Sequence, residues 1–502
     1  MIRNISPGWK FLAAGIVLAL GMTGCGTDKG MDPAEIEAAA PVDSAEAAAN
    51  GTMTADAAGT DNADVAGEMK GTEDAAAGII GGAGGTVGTA EDAAAGITEG
   101  AGDTGGTVST TYAGAGSTEN AEGMEKAGAA GATPEPAAVP WQEQTTADRM
   151  EGRTKVKGIY VTGPKAGSAG MEDLIRLVDE TELNAMVIDV KNDEGNVTFQ
   201  LTNEELAQEI PVLDQVAEMG AGVRYIRDIK ALMQELQEHN IYTIARIVCF
   251  KDPCLAAAQP ELALTKPDGK PVTDANGLAW VNPYRQEVWE YLTELAEMAA
   301  DLGFDEIQYD YVRFPVGSDA NAADYGVDME ACPKQQAIQD FLSYAGDRLH
   351  EKGCVVTADV FGTIIGSETD VRTVGQDYAA LGQTVDAISP MVYPSHYANG
   401  VFGLNVPDAA PYETILAAMQ GSQEELQGIP ETERAVVRPW LQAFTATWVP
   451  GHISYNGPQI REQIQAVYDA GYEEWILWNA ANRYSGEGLL DAEEVENNED
   501  SQ

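Results

Sequence analysis

Histidine is scarce, with four in 502 residues, and cysteine numbers five. No CxxC, HExxH or HxH spacing occurs, so a zinc centre lacks its usual ligand framework. Basic residues are also short. There are 29 Lys and Arg against 80 Asp and Glu, a net charge of −51. A chain with that balance has no basic face for a phosphate backbone, which excludes a nucleic-acid partner. The GxxxxGK[ST] and GxSxG patterns are missing, which removes the P-loop and the serine-hydrolase elbow. Only one apolar run stands out, Phe11 to Gly21, and at 11 residues it falls short of the ~20 that cross a bilayer.

That run fits an export signal instead. Arg3 and Lys10 form a basic start, the apolar stretch FLAAGIVLALG follows, and Met22-Thr-Gly-Cys25 comes directly after. The last four residues resemble a bacterial lipobox, in which the cysteine is acylated and becomes the first residue. Cys25 is therefore the expected lipidation site, and the chain is expected to be exported and held on the outer face of a membrane by its lipid. Plain secretion with cleavage near Cys25 is the other reading.

Residues 26–150 are Ala, Gly, Thr, Asp and Glu, with 22 acidic and 4 basic residues and only Tyr112 and Trp141 as aromatics. Such a composition buries too little apolar surface to offset ordering entropy, so a disordered linker is expected. EDAAAGI recurs at 73–79 and 91–97, but the repeats carry too few apolar residues to stack as a solenoid. A spacer that lifts the following domain off the membrane fits the pattern. The last stretch, 491–502, reads as an acidic tail.

Between them, residues 151–490 alternate strand-like and helix-like patterns. Eight apolar segments qualify as strands: Val156–Gly163, Ala185–Lys191, Tyr242–Phe250, Glu306–Pro315, Val355–Gly362, Ala387–Tyr393, Val436–Phe444 and Glu474–Ala480. They are nearly uninterrupted in apolar residues, as strands buried on both faces should be. Amphipathic stretches separate them, Val223–His239 and Val371–Leu381 among them. The expected fold class is α/β, a single (β/α)8 TIM barrel. A doubly wound open sheet is the alternative, but Val161-Thr-Gly-Pro-Lys165 after the first strand is no dinucleotide fingerprint.

Chemistry in a barrel gathers at the C-terminal strand ends, and polar residues here follow that rule. Asp189 and Lys191 end the second strand. Arg246 lies in the third, Asp310 and Arg313 end the fourth, and Asp359 ends the fifth. Tyr393 and His396 follow the sixth, Arg438, Trp440 and Gln442 share one face of the seventh by period two, and Trp478 and Asn479 end the eighth. Isolated charges in barrel strands are costly, so a shared polar site is expected. Structural ion pairs, Asp189 with Lys191 or Asp310 with Arg313, are the bland alternative. Carboxylates beside aromatics suit carbohydrate: one carboxyl protonates the leaving oxygen, the other attacks or activates water, and aromatic rings stack on sugar faces. Asp310, Asp359 and Asp189 are the candidate catalytic residues. Arg313 beside Asp310 is expected to keep it ionised, and the apolar setting Ala358-Asp-Val-Phe361 to raise Asp359 into an acid. Lys191, Arg313, Tyr393, His396, Trp440, Gln442, Trp478 and Asn479 are the candidate substrate-binding residues.

The strings AMVIDVKNDEGNVTF, ARIVCFKDPCLA, GFDEIQYDYVRFP, ADVFG, ISPMVYPSHYANG, RPWLQAF and WILWNAANRY resemble a bacterial family of glycoside-hydrolase-type barrels, long catalogued as a domain of unknown function and distantly similar to alpha-amylase-like barrels. The resemblance runs from about Val156 to Tyr484. It implies a (β/α)8 fold and action on a polysaccharide. In alpha-amylase-like barrels the strand-four aspartate is the nucleophile, and Asp310 matches it. Those enzymes carry a strand-five glutamate where this chain has Asp359, and a strand-seven aspartate where it has Trp440 and Gln442, so an alpha-glucan substrate does not follow.

Cys254 and Cys332 are the best-placed pair for a disulfide, since export permits one; the alternative is buried free thiols. Asp189, Asp193 and Glu194 offer oxygens of the kind a divalent cation takes, but neither a metal nor another cofactor is expected. Three functions compete: a lipid-anchored glycoside hydrolase acting on a polysaccharide, a glycan-binding barrel lipoprotein without catalysis, and an enzyme of another class on the same fold, such as a polysaccharide deacetylase or lyase. A monomer is expected in each case.

Overall fold

The computed structural model describes residues 140–199 and 225–494. The export signal with Cys25 and the linker up to residue 139 lie outside the described residues, as do residues 200–224 and 495–502. Residues 140–150, assigned from sequence to the linker, carry a 3-10 turn (Trp141–Glu143) and a short helix (Thr146–Met150). Arg149 on that helix bonds Asp386 at 2.6 Å.

The strands are β1 (Lys157–Val161), β2 (Ala185–Lys191), β3 (Tyr242–Val248), β4 (Glu306–Asp310), β5 (Val355–Phe361), β6 (Ala387–Met391), β7 (Val436–Val437), β8 (Trp440–Gln442) and β9 (Trp475–Trp478). All pairings among them are parallel. They run in chain order around the ring, and β9 closes onto β1. β7 and β8 are two halves of one barrel strand, both paired to β6. The break falls at Pro439, which has no N–H to give to a ladder. The chain is therefore a closed eight-stranded parallel barrel, a (β/α)8 TIM barrel as expected.

Helices wrap the outside through regular apolar stripes. In Met171–Glu180, the residues Met171, Leu174, Ile175 and Val178 are buried at helical spacing. The stretch expected as one helix over Val371–Leu381 is instead two, Glu368–Val374 and Tyr378–Leu381. Gly375 ends the first with a φ of 78°, the left-handed cap that glycine favours. The helix expected from Val223 begins at Ile229, where the Asp228 side chain accepts the Ala231 N–H.

Fourth-strand geometry matters most for the site. β4 was expected to run to Pro315 but stops at Asp310, because Tyr311 adopts a φ of 48°. That turn takes the chain out of the sheet directly after the carboxylate. Inside the barrel, side chains stack in layers. At the floor, Arg438 bonds Glu306 at 2.6 Å and Glu474 at 2.8 Å, and Tyr242 donates to Glu306 at 3.1 Å. Above it lie apolar Val187, Ile244 and Ile476, and above those a second charged layer centred on Arg246.

Candidate functional site

β3 places Arg246 at the middle of the upper layer with 2% exposure. Its guanidinium serves three carboxylates. Nε and Nη2 donate to Oδ2 of Asp310 at 2.9 and 2.6 Å, Nη1 to Asp189 at 2.7 Å, and Nη2 to Asp193 at 3.0 Å. Asp310 completes its shell with the Tyr311 backbone N–H at 2.6 Å, a bond that the left-handed Tyr311 turn makes. Tyr160 donates its hydroxyl to Asp189 at 2.6 Å.

These neighbours separate the carboxyls by protonation. Burial pushes Asp189 up to about 6, against the pull of Arg246. Burial also works on Asp193, but Arg246 and Lys251 outweigh it and hold that carboxyl below its ordinary range. Asp359 stands apart from the guanidinium. Burial, and then the charge of Asp310, raise it well above the ordinary carboxylate range. The β4–β5 register runs Gln308 beside Thr357 and Tyr309 beside Ala358, so Asp310 and Asp359 follow as neighbours on adjacent strands. Trp440 Nε1 donates to Oδ1 of Asp359 at 2.7 Å, and Gln308 Nε2 donates to the same oxygen. Among the described residues Oδ2 accepts no bond, and a carboxylic acid needs one such oxygen for its proton.

A cleft of about 800 Å³ opens over this layer. Asp193, Arg246 and Asp310 line its floor, with Arg313, Phe361 and Gly362 on one side and Tyr393, His396, Trp440 and Trp478 on the other. Trp478 stacks on Tyr160 with ring centroids 4.0 Å apart and meets Trp440 edge-on at 5.4 Å. Burial lowers His396 to about 4, so near neutral pH it is an uncharged hydrogen-bonding group. The cleft thus joins aromatic walls to a floor of Arg246, Asp193 and Asp310, with Asp359 buried beneath it beside Trp440. Such a cleft suits a ligand with apolar faces and hydroxyls.

Residues 158–484 match the family described as "Putative glycosyl hydrolase domain". The chain belongs to this family. A search of curated proteins matches none. Among solved structures, a hypothetical protein from Ruminiclostridium thermocellum is 33% identical over 40% of this chain and 97% of its own, with a TM-score of 0.34. The glycoside hydrolase domain of PgaB (BpsB) from Bordetella bronchiseptica is 11% identical over 65% and 94%, TM-score 0.47. A chitinase from Chromobacterium violaceum is 12% identical over 66% and 96%, TM-score 0.39.

Within this glycosyl hydrolase-type barrel, the structure gathers Asp189, Asp310, Asp359, Arg313, Tyr393, His396, Trp440 and Trp478 at or just beneath the cleft. Other expected site residues lie elsewhere. Lys191 is fully buried, 2.9 Å from Asp252, and donates to the Val248 carbonyl. The β2–β3 register slips between Asp189 and Lys191, and one extra residue turns Lys191 off the face that Asp189 uses. Gln442 is a structural clamp: it donates to Asp408 at 2.9 Å and accepts the Ser395 N–H at 3.0 Å, holding the loop that carries His396. Asn479 bonds the carbonyls of Ala443 and Arg483 and so shapes its own loop.

The cation at Asp310 is Arg246 and not Arg313. Arg313 bonds the Phe314 carbonyl and lies over the rings of Phe361, Trp280 and Tyr311 at 4.5, 4.9 and 5.1 Å. Arg246 also occupies the place considered for a divalent cation beside Asp189 and Asp193. No cluster with metal-ligand character is present among the described residues. Cys249, Cys254, Cys332 and Cys354 are all free thiols, so the Cys254–Cys332 pairing is not made. Cys254 approaches the Glu194 carbonyl instead. Arg246 was visible in sequence as a charge within an apolar strand. Tyr160 and Gly362 carried no signal that separated them from core residues.

Proposed function

We propose that the barrel hydrolyses O-glycosidic bonds of a polysaccharide, with Asp359 as the proton donor and Asp310 as the ionised partner. The observation that carries the reading is the contrast between two register-adjacent carboxyls. Asp310 is tied to a guanidinium, while Asp359 is buried beside the Asp310 charge with one oxygen left for a proton. Protonated Asp359 gives its proton to the leaving oxygen. The Asp310 carboxylate then faces the positive charge that develops at the sugar, as nucleophile or as base for water. Family membership supports the reaction class. Trp478, Trp440 and Tyr393 supply the walls against which a sugar ring packs. The basic start, the apolar run and Met22-Thr-Gly-Cys25 support a place outside the cell, held by a lipid on Cys25, with the linker that begins at residue 26 as its tether.

The test is reducing-end release from a panel of wall and capsular polysaccharides. The wild type should release ends, and Asp310→Asn and Asp359→Asn should each lower the rate at least ~100-fold. Undiminished release by either variant overturns that residue's role. If no polymer is cut but one is retained equally by all three proteins, the glycan-binding barrel replaces the hydrolase. Labelled palmitate carried by the wild type and absent from Cys25→Ala tests the anchor; label in both removes it from Cys25.

A further inference from the structure

We infer that the loops after β6 and β8 form a second glycan-binding track, running from the cleft to an exposed platform at Trp448, and that its ligand is a multi-sugar polymer. The inference deepens the reading above and rests on it for the ligand class. The track is a series of ring contacts. Trp478 lies 6.5 Å from Tyr393, and Tyr393 lies 6.0 Å from Phe444, which stacks at 6.0 Å and 20° on Trp448. The first two line the cleft, and Trp448 is 52% exposed. Phe444 covers one face of the indole and leaves the rest of a large apolar ring open at the end of the series, where a flat apolar ligand face gains by covering it.

A second observation points the same way. Tyr397, on the same loop as Tyr393, is buried and lines the cleft, yet its hydroxyl has no hydrogen-bond partner. Buried hydroxyls are ordinarily satisfied, so this one is set to meet a group that arrives with the ligand. Phe402, also exposed, lies 5.1 Å from the Tyr397 ring. A flat apolar ring at the rim and an unmet hydroxyl in the wall together match a sugar, which offers a C–H face and a belt of hydroxyls. A protein partner fits less well. The exposed aromatics on this rim are single rings continuous with the cleft, and not the broad apolar core of a protein interface.

Affinity electrophoresis tests the track in gels holding glycol chitin, chitosan, laminarin, or the polymer that the wild type cleaves. Wild type and Asp310→Asn should be retarded in at least one gel. In the same backgrounds Trp448→Ala should weaken retention roughly tenfold, the loss of one well-placed aromatic anchor. Trp448→Tyr should recover part of it, and Met329→Ala, an exposed apolar residue elsewhere, should leave it unchanged. Equal retention of Trp448→Ala, or no retention of the parent in any gel, overturns the track. Cleavage without Trp448-dependent retention overturns the track alone. Trp448-dependent retention without cleavage of any polymer supports the track and overturns the hydrolase reading.

Discussion

Replacing Arg246 by methionine tests the upper charged layer directly. The side chain is 2% exposed, and the substitution removes four charge-assisted bonds, two to Asp310 and one each to Asp189 and Asp193. Breaking a buried ion pair by removing one partner costs roughly 3–5 kcal/mol. Three carboxylates lose this cation at once, Asp193 keeping Lys251 at 3.8 Å, which places the cost at the upper end, and protonation relieves part of it. Asp189, already raised to about 6, takes up a proton first. The sign of the pH effect follows. A carboxyl whose folded-state pKa is raised binds protons more readily folded than unfolded, so folding gains as pH falls. Urea unfolding of wild type and Arg246→Met should therefore differ by about 4–5 kcal/mol at pH 7.5, and by clearly less at pH 5. A loss under ~1 kcal/mol at pH 7.5, or a gap that does not shrink at pH 5, refutes Arg246 as the group that neutralises this layer.

Three further outcomes follow from the geometry. A Cβ on Gly362 would fall 2.5 Å from both the Met391 carbonyl and the Tyr397 hydroxyl, so Gly362→Ala should cost ~1–3 kcal/mol in thermal unfolding and raise KM as the cleft wall shifts; an unchanged melting curve contradicts that packing. Lys191→Met strands buried Asp252 and should destabilise by ~3 kcal/mol at neutral pH without moving KM, and a KM change would return Lys191 to the site. For the acid role of Asp359, the rate should fall as pH rises through its elevated pKa, and that alkaline limb should be missing from the residual activity of Asp359→Asn.

How much of this was legible in the sequence follows from what each residue type can signal. Strands buried on both faces must be apolar throughout, so eight apolar runs separated by amphipathic stretches already implied a closed parallel barrel. The positions of Asp189, Asp310 and Asp359 towards the C-terminal ends of the second, fourth and fifth strands were readable for the same reason, because a charge in such a run stands out. Failures came where a single residue changed phase. The slip between Asp189 and Lys191 defeats period-two reasoning, since one extra residue turns every later side chain to the other face. Gln442 obeyed the period but met Asp408 from a loop 34 residues away in sequence, and no local pattern reports such a partner. The cation for Asp310 was sought three residues along the chain, at Arg313, when the barrel supplies it from the neighbouring strand.

That last correction also explains how two adjacent carboxyls come to differ. A cation near in sequence would have to fold back from the loop after Asp310, where Tyr311 already turns the backbone with a φ of 48°. Arg246 instead comes from β3, and its carboxylate bonds go to Asp310 on β4, Asp189 on β2 and Asp193 in the loop after it, with none to Asp359 on β5. The field in the barrel mouth is therefore uneven. On the β2–β4 side the guanidinium bonds Asp189, Asp193 and Asp310, while on the β5 side Asp359 meets burial and the Asp310 charge. The same strand order that puts Asp310 next to Arg246 puts Asp359 on the far side of Asp310, where burial and the Asp310 charge raise it. A variant that brought a cation to the β5 side would erase that difference. Ser389, paired with Asp359 in the β5–β6 register, is the position for it. Ser389→Lys should lower the pKa of Asp359 and shift the alkaline limb of the rate profile to lower pH. A profile that does not move would mean that the limb belongs to another group.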